Sequence, residues 1–466
     1  MTASRQRPLL AWALTGMLIA GCSAAGMWAL PRWQEADRLQ QQALAPTLES
    51  TQPALEAVSA GTPVDTATLK ADIDQVLGSL GQGTVSAQVV DAESGQVLYS
   101  RDAHASRIPA SNMKLLVDYA VLATAPQARL KTSVELNDPA TLTLVSGGDS
   151  LLVPGESTPT AVVGHAGIET LAQRTIDALK AQGTTKQSLA VNLDIGVFAG
   201  DSFNSEWAQE DIESGFISAV TPLAFYSHYS PTADGSAAST NRPKNAPAEV
   251  HQSFIAALNR LGQAEGLSFT AGFTTEEHLQ GTELAAVESA TLAEQSAHMM
   301  LESDNSLAEN LGRNLSVVTG GDGSTRGAID AVRTILAEAG LPTSYTQKDI
   351  SGLSMNNRVS SDLLTQLALR AVIGSASERL ALEGLPVAGY SGTLGLATRF
   401  NDADEVAGRG LVRAKTGTLN SVLSLTGYTV TGSGRVLVFS VIMNDLDDTR
   451  AAKSTIDRFA ATLTDR

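Results

Sequence analysis

A serine followed three residues later by a lysine, at the head of an apolar run, can make a nucleophile without a histidine. The chain carries this pattern in Pro109-Ala110-Ser111-Asn112-Met113-Lys114-Leu115-Leu116-Val117. On a helix, residues i and i+3 share a face with Cβ atoms about 5–6 Å apart, so the Lys114 amine can reach the Ser111 hydroxyl. The free N–H groups and positive dipole end of a first helical turn also favour a developing oxyanion. Of the nine lysines, only Lys114 has a serine three residues before it. Taken alone, such a pair is more often a capping serine beside a solvated lysine, so the decision rests on the rest of the chain.

Two further motifs follow in the order a serine acyl-transferase needs. Ser303-Asp304-Asn305 precedes an apolar helix, and Lys415-Thr416-Gly417-Thr418 follows the strand-like Leu411-Val412-Arg413-Ala414. S-x-N is weak by itself, since Ser202, Ser239 and Ser354 also begin one; K-T-G occurs once. Glycine at a strand end permits close approach of a ligand to the backbone. Helix capping would account for Ser303 and Asn305 singly, and an exposed strand lysine for Lys415. Three motifs in one order, on a helix, a helix start and a strand, are not accounted for that way. The six histidines include no H-E-x-x-H, and no G-x-S-x-G elbow is present, which argues against a zinc peptidase or an α/β-hydrolase. Structural or surface roles are the default for all six.

The elements that must position these residues can be read in outline. A helix over 65–80 precedes two alternating runs, 85–90 and 96–100, joined by Asp91-Ala92-Glu93-Ser94-Gly95, a β-hairpin signal. The Ser111 helix is expected to run to about Ala125. A strand at 141–145 leads into Ser146-Gly147-Gly148-Asp149; a helix at 167–182, a strand at 189–193 and a helix at 248–261 follow. Residues 129–284 thus alternate strand and helix on their own terms and read as an inserted second domain. Helices at 292–300, 307–318, 327–339 and 361–372 come next. Apolar runs at 410–414, 421–430 and 435–443 follow, the last two joined by the tight turn Gly432-Ser433-Gly434, and a helix at 450–463 closes the chain. Residues 65–128 and 285–466 together read as an α/β (α+β) sandwich, an antiparallel sheet covered by helices.

Composition narrows the class. With 466 residues, 43% hydrophobic and 17% charged, the chain has material for two or three globular cores. A net charge of −17 argues against a nucleic-acid partner, which would need a basic surface. Residues 1–33 differ in kind: Arg5 and Arg7 precede an uncharged segment from Pro8 to Pro31, closed by Arg32. This reads as an export signal or membrane anchor, since about 22 uncharged residues can span a bilayer. Ile19-Ala20-Gly21-Cys22-Ser23 also resembles a bacterial lipobox, and cleavage after a small residue is a third fate. The apolar Met27-Trp28-Ala29-Leu30 favours the uncleaved anchor. Cys22 is the single cysteine, so the exported part has neither disulfide nor thiol chemistry. Residues 34–64, rich in Gln, Ala, Thr and Pro, read as a linker.

With these motifs in place the chain resembles the penicillin-recognising serine acyl-transferases, in which S-x-x-K, S-D-N and K-T-G recur. It looks most like the class C low-molecular-mass penicillin-binding proteins, the D-alanyl-D-alanine carboxypeptidases of peptidase family S13. Supporting stretches are Pro109–Leu116, Gly147-Gly148-Asp149, Glu302–Glu309, Ser351-Gly352-Leu353-Ser354 and Lys415–Leu419. The long insertion between the first two motifs separates it from β-lactamases, where that spacing is much shorter.

The resemblance implies a penicillin-binding, β-lactamase-like transpeptidase fold and a set of roles. Ser111 would attack the carbonyl of the penultimate D-alanine, Lys114 would take its proton, and Ser303 would relay a proton to the leaving amine. Asn305 would hold Lys114 and the substrate backbone. Lys415, Thr416, Gly417 and Thr418 would line the site of the terminal carboxylate, with the Ser111 and Thr418 N–H groups as oxyanion hole. Asp149 would reach from the inserted domain to the cationic end of the peptide's diamino acid, although Ser150 stands where relatives commonly have proline. Met355 and Asn356 are further candidates for the site wall. The implied activity is that of a D-alanyl-D-alanine carboxypeptidase/endopeptidase on peptidoglycan stem peptides ending in D-Ala-D-Ala, with β-lactams as acylating inhibitors, at the extracytoplasmic face of a bacterial membrane or cell wall and with no metal or organic cofactor. A β-lactamase of the same fold and a non-catalytic peptidoglycan-binding scaffold are the competing expectations.

Overall fold

The computed structural model describes residues 61–185, 187–232 and 241–465. The anchor, lipobox and Cys22 readings lie outside the described residues. Among the described residues no helix is long and apolar enough to cross a membrane.

One five-stranded sheet carries the site. Its strands are β1 (Thr84–Asp91), β2 (Val97–Arg101), β8 (Arg413–Leu419), β9 (Val422–Val430) and β10 (Val436–Asn444), in the order β2-β1-β10-β9-β8. Every neighbouring pair is antiparallel. All nine residues of β10 are buried, because both of its faces are covered. Period-two alternation divides them between two cores. Leu437, Phe439, Val441 and Met443 pack with Leu69 and Ile73 of α1 (Thr66–Gly78) and with Ile456 and Phe459 of α10 (Thr449–Thr462). Val438 and Ile442 face the other way, onto α9 (Ser361–Ile373), in a core that also holds Leu116 of α2 (Lys114–Thr124), Leu311 of α7 (Asn305–Val318) and Leu364 of α9. This is the helix-covered antiparallel sheet expected from the sequence.

The second sheet has the order β6-β5-β4-β3-β7, from β3 (Arg129–Asp138), β4 (Thr141–Val145), β5 (Ser188–Asp194), β6 (Ser268–Thr275) and β7 (Thr282–Thr291). It is mixed: β4, β5 and β6 run parallel, while β3 is antiparallel to both β4 and β7. Leu171 and Ile176 of α3 (Ile168–Ala181), with Val250 and Phe254 of α5 (Ala246–Gly262), cover it and close a separate core. The short α4 (Gln209–Glu213) lies in the segment between β5 and α5. The Leu292 amide donates to the Ala128 carbonyl at 2.9 Å, so the chain leaves the first core and re-enters it at adjacent points.

At that re-entry, β7 passes straight into α6 (Leu292–Glu302) through a capping box. Thr291 Oγ1 accepts the Glu294 amide, and the Glu294 carboxylate accepts the Thr291 amide. The Thr291→Ala protein is expected to lose about 1 kcal/mol of stability. A lowered urea midpoint at unchanged slope would check this.

Two local expectations need correction. The Ser111 element is not one helix: Ala110–Met113 forms a 3₁₀ turn and the α-helix begins at Lys114. Ala110 has φ +48°, a left-handed conformation that interrupts regular winding just before the serine. Nor does Lys415-Thr416-Gly417-Thr418 follow a strand; it lies within β8, because pairing with β9 runs from Arg413 to Leu419 and leaves Gly410–Val412 outside the ladder.

Candidate active site

The one-turn offset between Ser111 and Lys114 places Lys114 Nζ 3.2 Å from Ser111 Oγ. The same amine donates to Asn305 Oδ1 at 2.7 Å and to the Ser351 carbonyl at 2.6 Å. An ammonium has three N–H bonds, and these three acceptors take them. Lys114 is fully buried, which pulls its pKa down to about 8 against the opposing charges of Asp349, Asp304 and Glu309. If one proton leaves, the two remaining N–H bonds can stay on Asn305 and Ser351. The lone pair then faces Ser111, which is the arrangement of a general base.

Ser303 ends α6 at φ +59°, and Asp304 caps α7 by accepting the Leu307 amide at 3.0 Å. Capping therefore falls to Asp304, leaving the side chains on either side of it for other work. Ser303 Oγ accepts from Lys415 Nζ at 2.8 Å, and Asn305 holds Lys114. Asn305 Nδ2 donates to the Phe216 carbonyl at 2.9 Å. One of its two N–H bonds is thus spent on the inserted region, and this fixes which way round the amide lies.

Lys415 is also fully buried, and its second acceptor is the Thr416 carbonyl at 2.8 Å. Burial lowers its pKa well below the usual lysine value, and the neighbouring Lys114 charge lowers it further. Thr416 Oγ1 lies 2.7 Å from Thr393 Oγ1, and Thr418 is exposed. Gly417 is where β8 meets the nucleophile's turn. A Cβ there would stand 2.2 Å from Ser424 Oγ and 2.7 Å from the Pro109 carbonyl. Ser424 Oγ itself donates to that carbonyl at 2.6 Å. Ser111, Lys114 and Asn305 form one hydrogen-bonded set and Ser303 and Lys415 another, and the Ser303-Asp304-Asn305 backbone joins the two into one group beside the edge strand β8.

Asp149 is not brought to this group. It is 1% exposed, and its Oδ1 accepts the Leu151 amide at 2.8 Å; burial raises its pKa to about 7. The glycines before it explain the placement. Cβ atoms at Gly147 and Gly148 would fall 2.0 Å from the Lys131 carbonyl and from Asn314 Oδ1. Asn314 Nδ2 donates to the Gly148 carbonyl at 3.1 Å. The Gly147-Gly148-Asp149 segment thus docks the second sheet onto α7, and the aspartate side chain turns inward with it. Asn356 is likewise engaged, donating to Glu206 at 2.8 Å, while Met355 is exposed.

Sequence reasoning missed the Ser351 and Phe216 carbonyls, since a backbone acceptor leaves no residue-type signal. It also missed Thr393, and the buried carboxylates Glu309 and Asp349 beneath Lys114. Glu309 stands four residues after Asn305, and that spacing was a readable signal.

An antiparallel sheet whose edge lysine strand covers a serine–lysine helix is the architecture of the penicillin-recognising serine acyl-transferases. The structure of penicillin-binding protein 4 of Haemophilus influenzae is similar to it, with a TM-score of 0.66 and 18% identity over 86% of this chain and 98% of that one. The family is fixed by sequence. A model of the D-Ala-D-Ala carboxypeptidase 3 (S13) family matches residues 67–251 and 232–463. The carboxypeptidase DacB of Mycolicibacterium smegmatis is 31% identical over 467 residues, 97% of this chain and 95% of that protein. The D-alanyl-D-alanine carboxypeptidase of Actinomadura sp. R39 is 28% identical, over 85% and 84% of the two chains. The chain belongs to the D-Ala-D-Ala carboxypeptidase 3 (S13) family and is an enzyme of the serine carboxypeptidase type.

Proposed function

We propose that this enzyme hydrolyses peptidoglycan stem peptides ending in D-Ala-D-Ala, through an ester on Ser111. The observation that carries the reading is the threefold setting of Lys114 Nζ, which aims one direction of a buried amine at Ser111 Oγ. Ser111 attacks the penultimate carbonyl as its proton passes to Lys114. The C–N bond then breaks, and the proton reaches the leaving amine through Ser303. Water hydrolyses the ester, with Lys114 as base again. The terminal carboxylate meets the Thr416 and Thr418 hydroxyls, and the buried Lys415 supplies positive charge behind them. The Ser111 and Thr418 N–H groups form the oxyanion hole, where each donor is worth about 3–4 kcal/mol in the transition state. Penicillins acylate the same serine; in support, penicillin-binding protein 4 of H. influenzae has been solved in complex with a β-lactam.

Cross-link cleavage is part of the proposal. Beside Ser303 a recess of about 490 Å³ is lined by Tyr226, Tyr229, Arg242 and Glu302 among others. It has room for a leaving group larger than D-alanine. The basic and apolar N-terminal segment supports action outside the cytoplasm, where such peptides are found.

Fluorescent penicillin followed by trypsin tests the reading. Cleavage after Arg107 and Lys114 releases Ile108–Lys114, and the adduct is expected on that peptide. Folded protein that takes up no label, or carries it elsewhere, would overturn the proposal. Release of both halves of a cross-linked muropeptide dimer tests the cross-link reading separately.

A further inference from the structure

Beneath the proposed base lie two buried carboxylates that the acyl-transfer steps do not use. Glu309, 1% exposed, follows Asn305 by one helical turn on the same face of α7. Its Oε1 accepts the Ile350 amide at 3.0 Å and the Ser351 amide at 2.8 Å. Asp349, fully buried, accepts the Gly352 amide at 2.9 Å and the Asn357 side chain at 2.7 Å on one oxygen. Its other oxygen takes the Ser354 amide at 2.7 Å, the Trp207 indole at 3.1 Å and the Ser351 hydroxyl at 3.3 Å. Three successive amides, at 350, 351 and 352, are thereby held by carboxylate, and the Ser351 carbonyl between them is left pointing at Lys114 Nζ.

We propose that Glu309 and Asp349 are the positioning pair for Lys114, holding the Ser351 carbonyl against the amine and setting, by their buried charge, the pH at which it can accept the Ser111 proton. The inference rests on the acyl-enzyme reading above.

Four charges reach Lys114 from three elements: Asp304 and Glu309 at the head of α7, Asp349 in the loop before Gly352, and Lys415 from β8. The three carboxylates favour the ammonium, while burial and Lys415 oppose it. Burial and the Asp349 charge push Glu309 up toward its neutral form, and it bears on Lys114 while it is ionised. Removing the Glu309 charge therefore lowers the proton affinity of Lys114.

The experiment compares acylation by a reporter β-lactam across pH in wild type, Glu309→Gln and Glu309→Asp. Glutamine keeps an acceptor for the two amides and removes the charge, so the acid limb of the rate is expected to move down by about one pH unit. Aspartate keeps the charge on a shorter arm, so the limb is expected to stay while the rate falls. If the limb stays in Glu309→Gln, the pair is only structural and the proposal fails. Wild type supplies a second reading should the glutamine protein not fold. Infrared spectra of ¹³C-Glu protein are expected to show no buried glutamic acid still protonated above about pH 8, where Lys114 loses its proton. A protonated band persisting there would also overturn the proposal. Absence of wild-type acylation would instead refute the acyl-enzyme reading.

Discussion

The Lys114→Met protein is expected to be acylated by penicillin about 10³-fold more slowly than wild type, within the range general bases contribute. Methionine fills nearly the same buried volume, so the rate loss is expected without a collapse of the site. Losing the amine leaves Asn305 Oδ1 and the Ser351 carbonyl without a donor. It also removes the cost of holding a buried cation, and the two effects oppose each other. The thermal midpoint is therefore expected to stay within about 4 °C of wild type. The wild-type rate should fall as pH drops below about 8, because protonated Lys114 cannot accept the Ser111 proton. Below that value the decline approaches tenfold per unit, and it should vanish in Lys114→Met. Stopped-flow acylation across pH measures both. An unchanged rate, or an acid limb that survives the substitution, would remove Lys114 from the role of base.

The site was legible where chemistry is written in residue type at short spacing. Ser111 and Lys114 need only one helical turn to meet, and Ser303, Asn305 and Lys415 sit in short motifs whose order is visible. Their convergence was not legible from local pattern. The Lys415–Ser303 and Lys114–Asn305 contacts depend on β8 and α7 arriving from far along the chain.

Backbone acceptors and glycine docking left no signal of their own. The Ser351 and Phe216 carbonyls belong to segments whose side chains are not involved in these bonds. The aspartate of Gly147-Gly148-Asp149 looked chemical, but the two glycines fit against Lys131 and Asn314 and turn it inward. In the first sheet, β9 and β10 were readable as long apolar runs and β1 and β2 as short alternating ones, whereas β8 was placed a few residues early because its own residues are mostly polar. The strand β3 escaped notice although Leu130, Thr132, Val134 and Leu136 alternate cleanly, and all but Leu136 are fully buried. The strand β6 was harder to see, since it is an edge strand with Phe273 exposed and most of its residues facing solvent.

Gly352→Ala tests how closely the proton acceptor's support is fitted to the nucleophile. Gly352 has φ +88°, and a Cβ there would stand 2.0 Å from the Ala110 carbonyl and 3.1 Å from Met113 Cβ. Its amide is held by Asp349, and the carbonyl before it takes Lys114. The added methyl must push apart either the Ala110 turn that aims Ser111 or the loop that aims Lys114. Displacements near 1 Å at such groups typically cost about 10²-fold in rate. Acylation is expected to fall by at least about that factor, with about 3 kcal/mol lost from stability through backbone strain and the clash together. Gly340→Ala is the control: φ there is +71°, but nothing lies within 4 Å of the added carbon. It carries the same kind of strain at the end of α8 (Thr325–Glu338), so a loss of about 1 kcal/mol with normal acylation is expected. Equal acylation in the two proteins would mean that the Ser351–Gly352 loop yields freely, and that the close contact with Ala110 does not hold Ser111 and Lys114 in register.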